Sequence, residues 1–70
     1  MDRRWAQEVA LLTEDINRWI ALGEYRIAEF NCEQSLRRIA PQAWYDAVHA
    51  LSGRVARARN SSAVALKAVT

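Results

Sequence analysis

The sequence contains a single cysteine, Cys32, so no disulfide can form within the chain. No group of cysteine and histidine residues has the spacing of a zinc site. Domains of this size often need a disulfide, a metal ion or a partner, because a small core supplies only about 3–5 kcal/mol of net stability. We therefore expect self-association to stabilise this 70-residue chain.

Long apolar runs are also missing. No stretch approaches the roughly 18 apolar residues that a membrane-spanning helix needs. The first residues, MDRRWAQEVALL, are charged and then amphipathic, unlike the continuous apolar segment of a signal peptide. We therefore expect a soluble, cytoplasmic protein that does not contact membranes.

Helical periodicity is the strongest signal in the first third of the chain. At 100° per residue, six apolar positions fall within about 100° of one another and form one amphipathic stripe. They are Trp5, Val9, Leu12, Ile16, Trp19 and Ile20. Gly23 follows directly and can adopt the left-handed conformation that closes a helix. A first helix near 3–22 is predicted.

The stretch 24–40 fits a helix better than a strand. A strand would give neither face a consistent apolar character, whereas a helix collects six apolar positions within about 120°. They are Tyr25, Ala28, Cys32, Leu36, Ile39 and Ala40. Asn31 and Gln34 resemble a capping box, so a break of this second helix at Asn31 stays open.

A third helix is predicted from about Pro41 to Arg59. Proline suits a first helical turn and disfavours the helical conformation in the residue before it. The apolar stripe of this helix is Trp44, Val48, Leu51, Val55 and Ala58. Gly53 within it suggests close helix approach, a kink or an early end. We expect residues 61–70 to form a short flexible or frayed tail.

Together these elements predict an all-α fold, a small three-helix bundle made of a helical hairpin and a third helix. Residues 1–60 would form the single domain. In the alternative, the third helix packs on a second copy instead of on the hairpin. Four large apolar residues lie off the main stripes and predict a protein interface, most simply in a homo-oligomer. They are Leu11, Leu22, Ile27 and Phe30.

Charge is distributed unevenly. Residues 1–36 carry four arginines and seven carboxylates, a net charge of −3, and residues 37–70 carry six cations and one carboxylate, a net charge of +5. The basic half could contact nucleic acid or an acidic protein surface. Its candidate nucleic-acid-binding residues are Arg37, Arg38, Arg54, Arg57 and Arg59. The stretch IAEFNCEQSLRRI weakly resembles a DNA-binding helix-turn-helix, with a turn at residues 31–32.

No set of nucleophile, base and orienting residue suggests catalysis. We expect neither a cofactor nor a metal ion. The favoured function is a small non-enzymatic interaction or regulatory module, of the kind encoded by bacterial accessory genes, acting as a homo-oligomer or on another protein. The alternative is a small basic nucleic-acid-binding transcriptional regulator.

Overall fold

The computed structural model describes the backbone of residues 2–69 and the side chains of residues 2–62. It contains helices α1 (Arg3–Ala21), α2 (Tyr25–Leu36) and α3 (Gln42–Val69), and no strand within the described backbone. Each helix packs against the other two. The predicted all-α class and the three-helix arrangement are confirmed, and α3 packs on the hairpin of the same chain.

Gly23 ends α1 as predicted. Its φ of 74° is in the left-handed region, which favours glycine. The amide of Gly23 donates to the carbonyl of Ile20 (3.0 Å), and the amide of Glu24 donates to the carbonyl of Trp19 (2.8 Å). This pair of hydrogen bonds is a Schellman motif, which satisfies the last carbonyls of the helix and reverses the chain into α2.

The predicted end of α2 is wrong, because the helix stops at Leu36 and residues 37–41 form a connection. Ile39, which the periodicity places in the buried stripe, is 99% exposed. The reason lies in α3. The indole Nε1 of Trp44 donates to the carbonyl of Ser35 (2.7 Å), and the hydroxyl of Tyr45 donates to the carbonyl of Arg38. A longer α2 would have paired the Ser35 carbonyl with the amide of Ile39, and the Arg38 carbonyl belongs to the connection that replaces the last turn.

The helix α2 is continuous across Asn31. The break left open by the sequence therefore does not occur, and no turn of a helix-turn-helix lies at residues 31–32. Ser35 donates its hydroxyl to the carbonyl of Asn31 (2.7 Å) within the same helix.

The predicted end of α3 near Arg59 is also not observed, since the helix continues to Val69. The side chains of residues 63–70 lie outside the described part of the chain, so the division into a 1–60 domain and a 61–70 tail stays a prediction. Gly53 causes neither an end nor close helix approach. A Cβ built there would meet Nη1 of Arg57, on the same helix, at 3.4 Å.

The core is small and comes mainly from α3. Among residues 2–62, whose side chains are described, seven are buried: Ile16, Ala28, Cys32, Trp44, Val48, Leu51 and Val55. The other apolar residues of the α1 stripe are half-buried against this core, as are Tyr25 and Leu36 of α2. The predicted stripes therefore face the bundle interior, except for the exposed Ile39 and for Ala58, which is half-buried but is not part of this cluster.

Candidate interaction surface

The four predicted interface residues are all exposed to solvent. Their exposed fractions run from 38% for Ile27 through 57% for Phe30 and 60% for Leu11 to 64% for Leu22. Single exposed apolar side chains are ordinary, whereas a group of them marks a surface that can bind a partner. Exposure meets the first requirement for an interface, and their role in one stays a prediction.

Ile27 and Phe30 form the most compact part of this set. They lie three residues apart on α2, so their side chains are neighbours on one face of the helix. At 100° per residue this face is opposite the buried Ala28 and Cys32, which anchor α2 to the core. The fold therefore cannot turn Ile27 and Phe30 inward without removing that anchor.

Leu11 and Leu22 are separated from each other on the α1 side. They lie eleven residues apart, about 16 Å along a helix. An ion pair between Asp15 and Arg18 (3.8 Å) falls between them on the same side of α1. The outer face of α2 is thus the continuous apolar element, and the two leucines are outlying additions to it.

Two of the five candidate nucleic-acid-binding arginines make ion pairs inside the chain. Nη1 of Arg38 lies 3.2 Å from a carboxylate oxygen of Glu8, and Nη1 of Arg59 lies 2.8 Å from a carboxylate oxygen of Glu29. Both pairs join the acidic first half to the basic second half. Part of the charge asymmetry therefore serves packing within the monomer.

Arg38 is held further by aromatic rings. Its guanidinium carbon lies 4.9 Å from the ring centroid of Trp5 and 5.1 Å from that of Trp44. The two indoles themselves are 5.4 Å apart at an interplanar angle of 55°. This cation–π arrangement ties the start of α1 to the α2–α3 connection and makes Arg38 a structural residue.

The remaining candidates do not converge on one surface. Arg37, Arg54 and Arg57 are exposed and make no ion pair within the described residues. Arg54 and Arg57 lie on one edge of α3, three residues apart. Arg37 directly follows α2, near the start of α3, and Arg54 is twelve residues, about 18 Å, into that helix. The fold does not combine the three arginines into a compact basic patch.

Ile39 is an exposed apolar residue that the sequence reasoning missed. It lies between α2 and α3, directly after Arg37 and Arg38. Pro41 signals an end of the helix only at Ala40, since proline disfavours the helical conformation in the residue directly before it. The earlier stop at Leu36 depends on the contacts of Trp44 and Tyr45 and has no mark in the sequence of α2.

The polar residues that could support chemistry are not assembled into a site. Burial raises the pKa of the Cys32 thiol, and the negative charge of Glu29 raises it further, so the thiol stays protonated and poorly reactive. His49 is exposed on α3. Within the described residues, no three histidine, cysteine or carboxylate side chains could share a metal ion, and no pocket is present.

Within the same part of the chain, no helix combines the length and apolar character required to cross a membrane.

The chain was also compared with known proteins. No protein-family model matches it. The searches of curated proteins and of solved structures gave no match either.

Proposed function

We propose that this protein is a small non-enzymatic interaction module that acts as a homo-oligomer in the cytoplasm. Its binding surface is the outer face of α2, formed by Ile27 and Phe30, with Leu11 and Leu22 at its margin. The observation that carries the proposal is the exposure of these four large apolar side chains. Covering them on association removes apolar surface from water, which is the main driving force for binding.

The small core supports the same proposal. Seven of the described side chains are buried, and two of them, Ala28 and Cys32, are small. Such a core leaves a 70-residue chain only marginally stable as a monomer. A second copy that buries Ile27 and Phe30 would add apolar burial that neither copy achieves alone.

The test is sedimentation velocity of the purified chain from about 10 μM to about 1 mM, a range that covers weak association. We expect the mean mass to rise with concentration. The double substitution Ile27→Gln and Phe30→Gln should shift the protein to monomer, with its helical circular dichroism unchanged because neither side chain contributes to the core. Ile39→Gln is the control, since it removes an even more exposed apolar side chain from outside the proposed surface.

A monomer at every concentration would reject the homo-oligomer. If Ile39→Gln lost association as fully as the Ile27→Gln and Phe30→Gln double variant, the outer face of α2 would be rejected as the binding surface. Tight binding to DNA or RNA would instead favour a nucleic-acid-binding regulator, provided that log affinity falls linearly with log salt concentration and that Arg54→Gln with Arg57→Gln reduces it.

A further inference from the structure

Two exposed charges flank the apolar face of α2 in a self-complementary order. Arg26 directly precedes Ile27, and Glu33 follows Phe30 by three residues. Arg26 and Glu33 are seven residues apart, so they lie within about 20° of each other on one edge of the helix. Both are exposed, and neither makes an ion pair within the described residues.

We propose that two copies of this chain associate through antiparallel α2 helices, with Arg26 of each copy paired to Glu33 of the other. The proposal rests on the function proposed above and specifies its partner and geometry. The two-fold axis of such a dimer is perpendicular to the plane of the paired helices, so the same edge of each helix meets its equivalent. Each copy then supplies one arginine and one glutamate to that edge, giving two identical ion pairs.

The apolar residues fit the same register. The midpoint between Arg26 and Glu33 falls at the peptide bond between Glu29 and Phe30, which places the axis there. Phe30 of one copy then lies beside Phe30 of the other at the centre, and Ile27 packs on either side. An aromatic centre bordered by charge is the usual composition of an interface.

The parallel arrangement is disfavoured by the same residues. In a parallel symmetric pair the two-fold axis runs along the helices, so Arg26 and Glu33 of one copy lie on the opposite edge from those of the other, and the two copies form no ion pair through these residues. Glu29 is not a competitor for Arg26 across the interface, because it lies on the α3 side and is paired with Arg59 at 2.8 Å.

The size of this interface predicts weak association. α2 has 12 residues and is about 18 Å long, whereas stable interfaces bury about 1,200–2,000 Å² in total. A single pair of such helices falls below that range. The dimer should therefore form reversibly and depend on concentration.

Charge reversal tests the register directly, by sedimentation velocity at low and moderate salt. Arg26→Glu alone, or Glu33→Arg alone, converts both proposed ion pairs into like-charge contacts, and we expect dimerisation to weaken by roughly tenfold or more. An equimolar mixture of the two single variants should form a heterodimer, because each copy then meets opposite charge on the other. The chain carrying both substitutions should dimerise like the wild type.

Two controls carry the same change of net charge on other surfaces. Arg54→Glu matches Arg26→Glu, and Glu14→Arg matches Glu33→Arg; we expect neither to change the dimer constant more than about twofold. All four positions are exposed in helices, so circular dichroism should show folded protein throughout.

The proposal is overturned if the mixed single variants do not recover association while the wild type does dimerise. Single charge reversals that leave the dimer constant unchanged would also overturn it, because the parallel arrangement brings neither Arg26 nor Glu33 against its counterpart. A wild type that never dimerises rejects the proposed function itself, so the two failures are distinguishable.

Discussion

Trp44 combines three structural roles in one side chain. It is 1% exposed, and its indole ring lies under the guanidinium of Arg38 and beside Trp5. Its Nε1 also donates to the carbonyl of Ser35 at 2.7 Å, near the end of α2. All three helices therefore meet at this residue, which fills the core and determines how α2 terminates.

Replacement of Trp44 by phenylalanine tests the contribution of its hydrogen bond. Trp44→Phe keeps an aromatic ring but leaves the Ser35 carbonyl with only the long hydrogen bond from the Arg38 amide (3.5 Å), and leaves part of the site empty. We expect the free energy of unfolding to fall by roughly 2 kcal/mol or more, measured by urea denaturation.

Trp19→Phe is the control for that measurement, because Trp19 is half-buried and its indole nitrogen has no partner within the described residues. Its loss should be clearly smaller. An equal loss in both variants would show that ring size alone, and not the hydrogen bond at the end of α2, decides the effect.

At the scale of the element, the two glycines have opposite roles. Gly23 closes α1 at a φ of 74°, where a side chain is strained whatever space surrounds it. Gly53 lies within α3 in ordinary helical conformation, and its nearest neighbour is the flexible end of the Arg57 side chain. The two residues are both glycine, but only Gly23 has a backbone conformation that a side chain would strain.

Alanine at these two positions should therefore change stability in opposite directions. Gly23→Ala is expected to destabilise the protein by about 1–2 kcal/mol, because alanine must adopt the left-handed conformation. Gly53→Ala is expected to stabilise it by about 0.5–1 kcal/mol, because alanine restricts the unfolded chain and favours helix. Thermal unfolding followed by circular dichroism measures both, and the same sign of change in the two variants would contradict this account.

At the scale of the whole molecule, core size and exposed apolar surface are linked. The described side chains bury seven residues, while Leu11, Leu22, Ile27, Phe30 and Ile39 remain in contact with water. A monomer with so small a core and so much exposed apolar surface is only marginally stable. Covering one apolar face in a dimer increases the buried apolar area. Stability and association should then be coupled.

This coupling predicts that the melting temperature rises with protein concentration. Once the concentration exceeds the dissociation constant, each tenfold increase should raise Tm by roughly 3 °C, since the dimer stabilises the folded state by mass action. In the Ile27→Gln and Phe30→Gln double variant, Tm should not vary with concentration. A wild-type Tm that is constant up to about 1 mM would contradict this prediction, because it would show that association does not stabilise the folded chain.

Much of the fold could be predicted from the order of apolar and polar residues. A helical period of 3.6 and one buried side determine which side chains face inward, so the stripes of α1, α2 and α3 were recognisable. Gly23 marked the end of α1 because few other residues tolerate a positive φ. The exposure of Leu11, Leu22, Ile27 and Phe30 followed from the same periodicity, since they lie off those stripes.

The tertiary structure alone decided where α2 ends and what the arginines contact. Periodicity carried α2 on to Ala40, but Trp44 and Tyr45 of another helix supply the hydrogen bonds that let it stop at Leu36. Arg38 and Arg59 looked like the other basic residues until the packing of three helices brought Glu8 and Glu29, each thirty residues away in the chain, within reach. Local patterns determine local structure, whereas ion pairs and helix ends made by distant residues depend on how the helices are packed together.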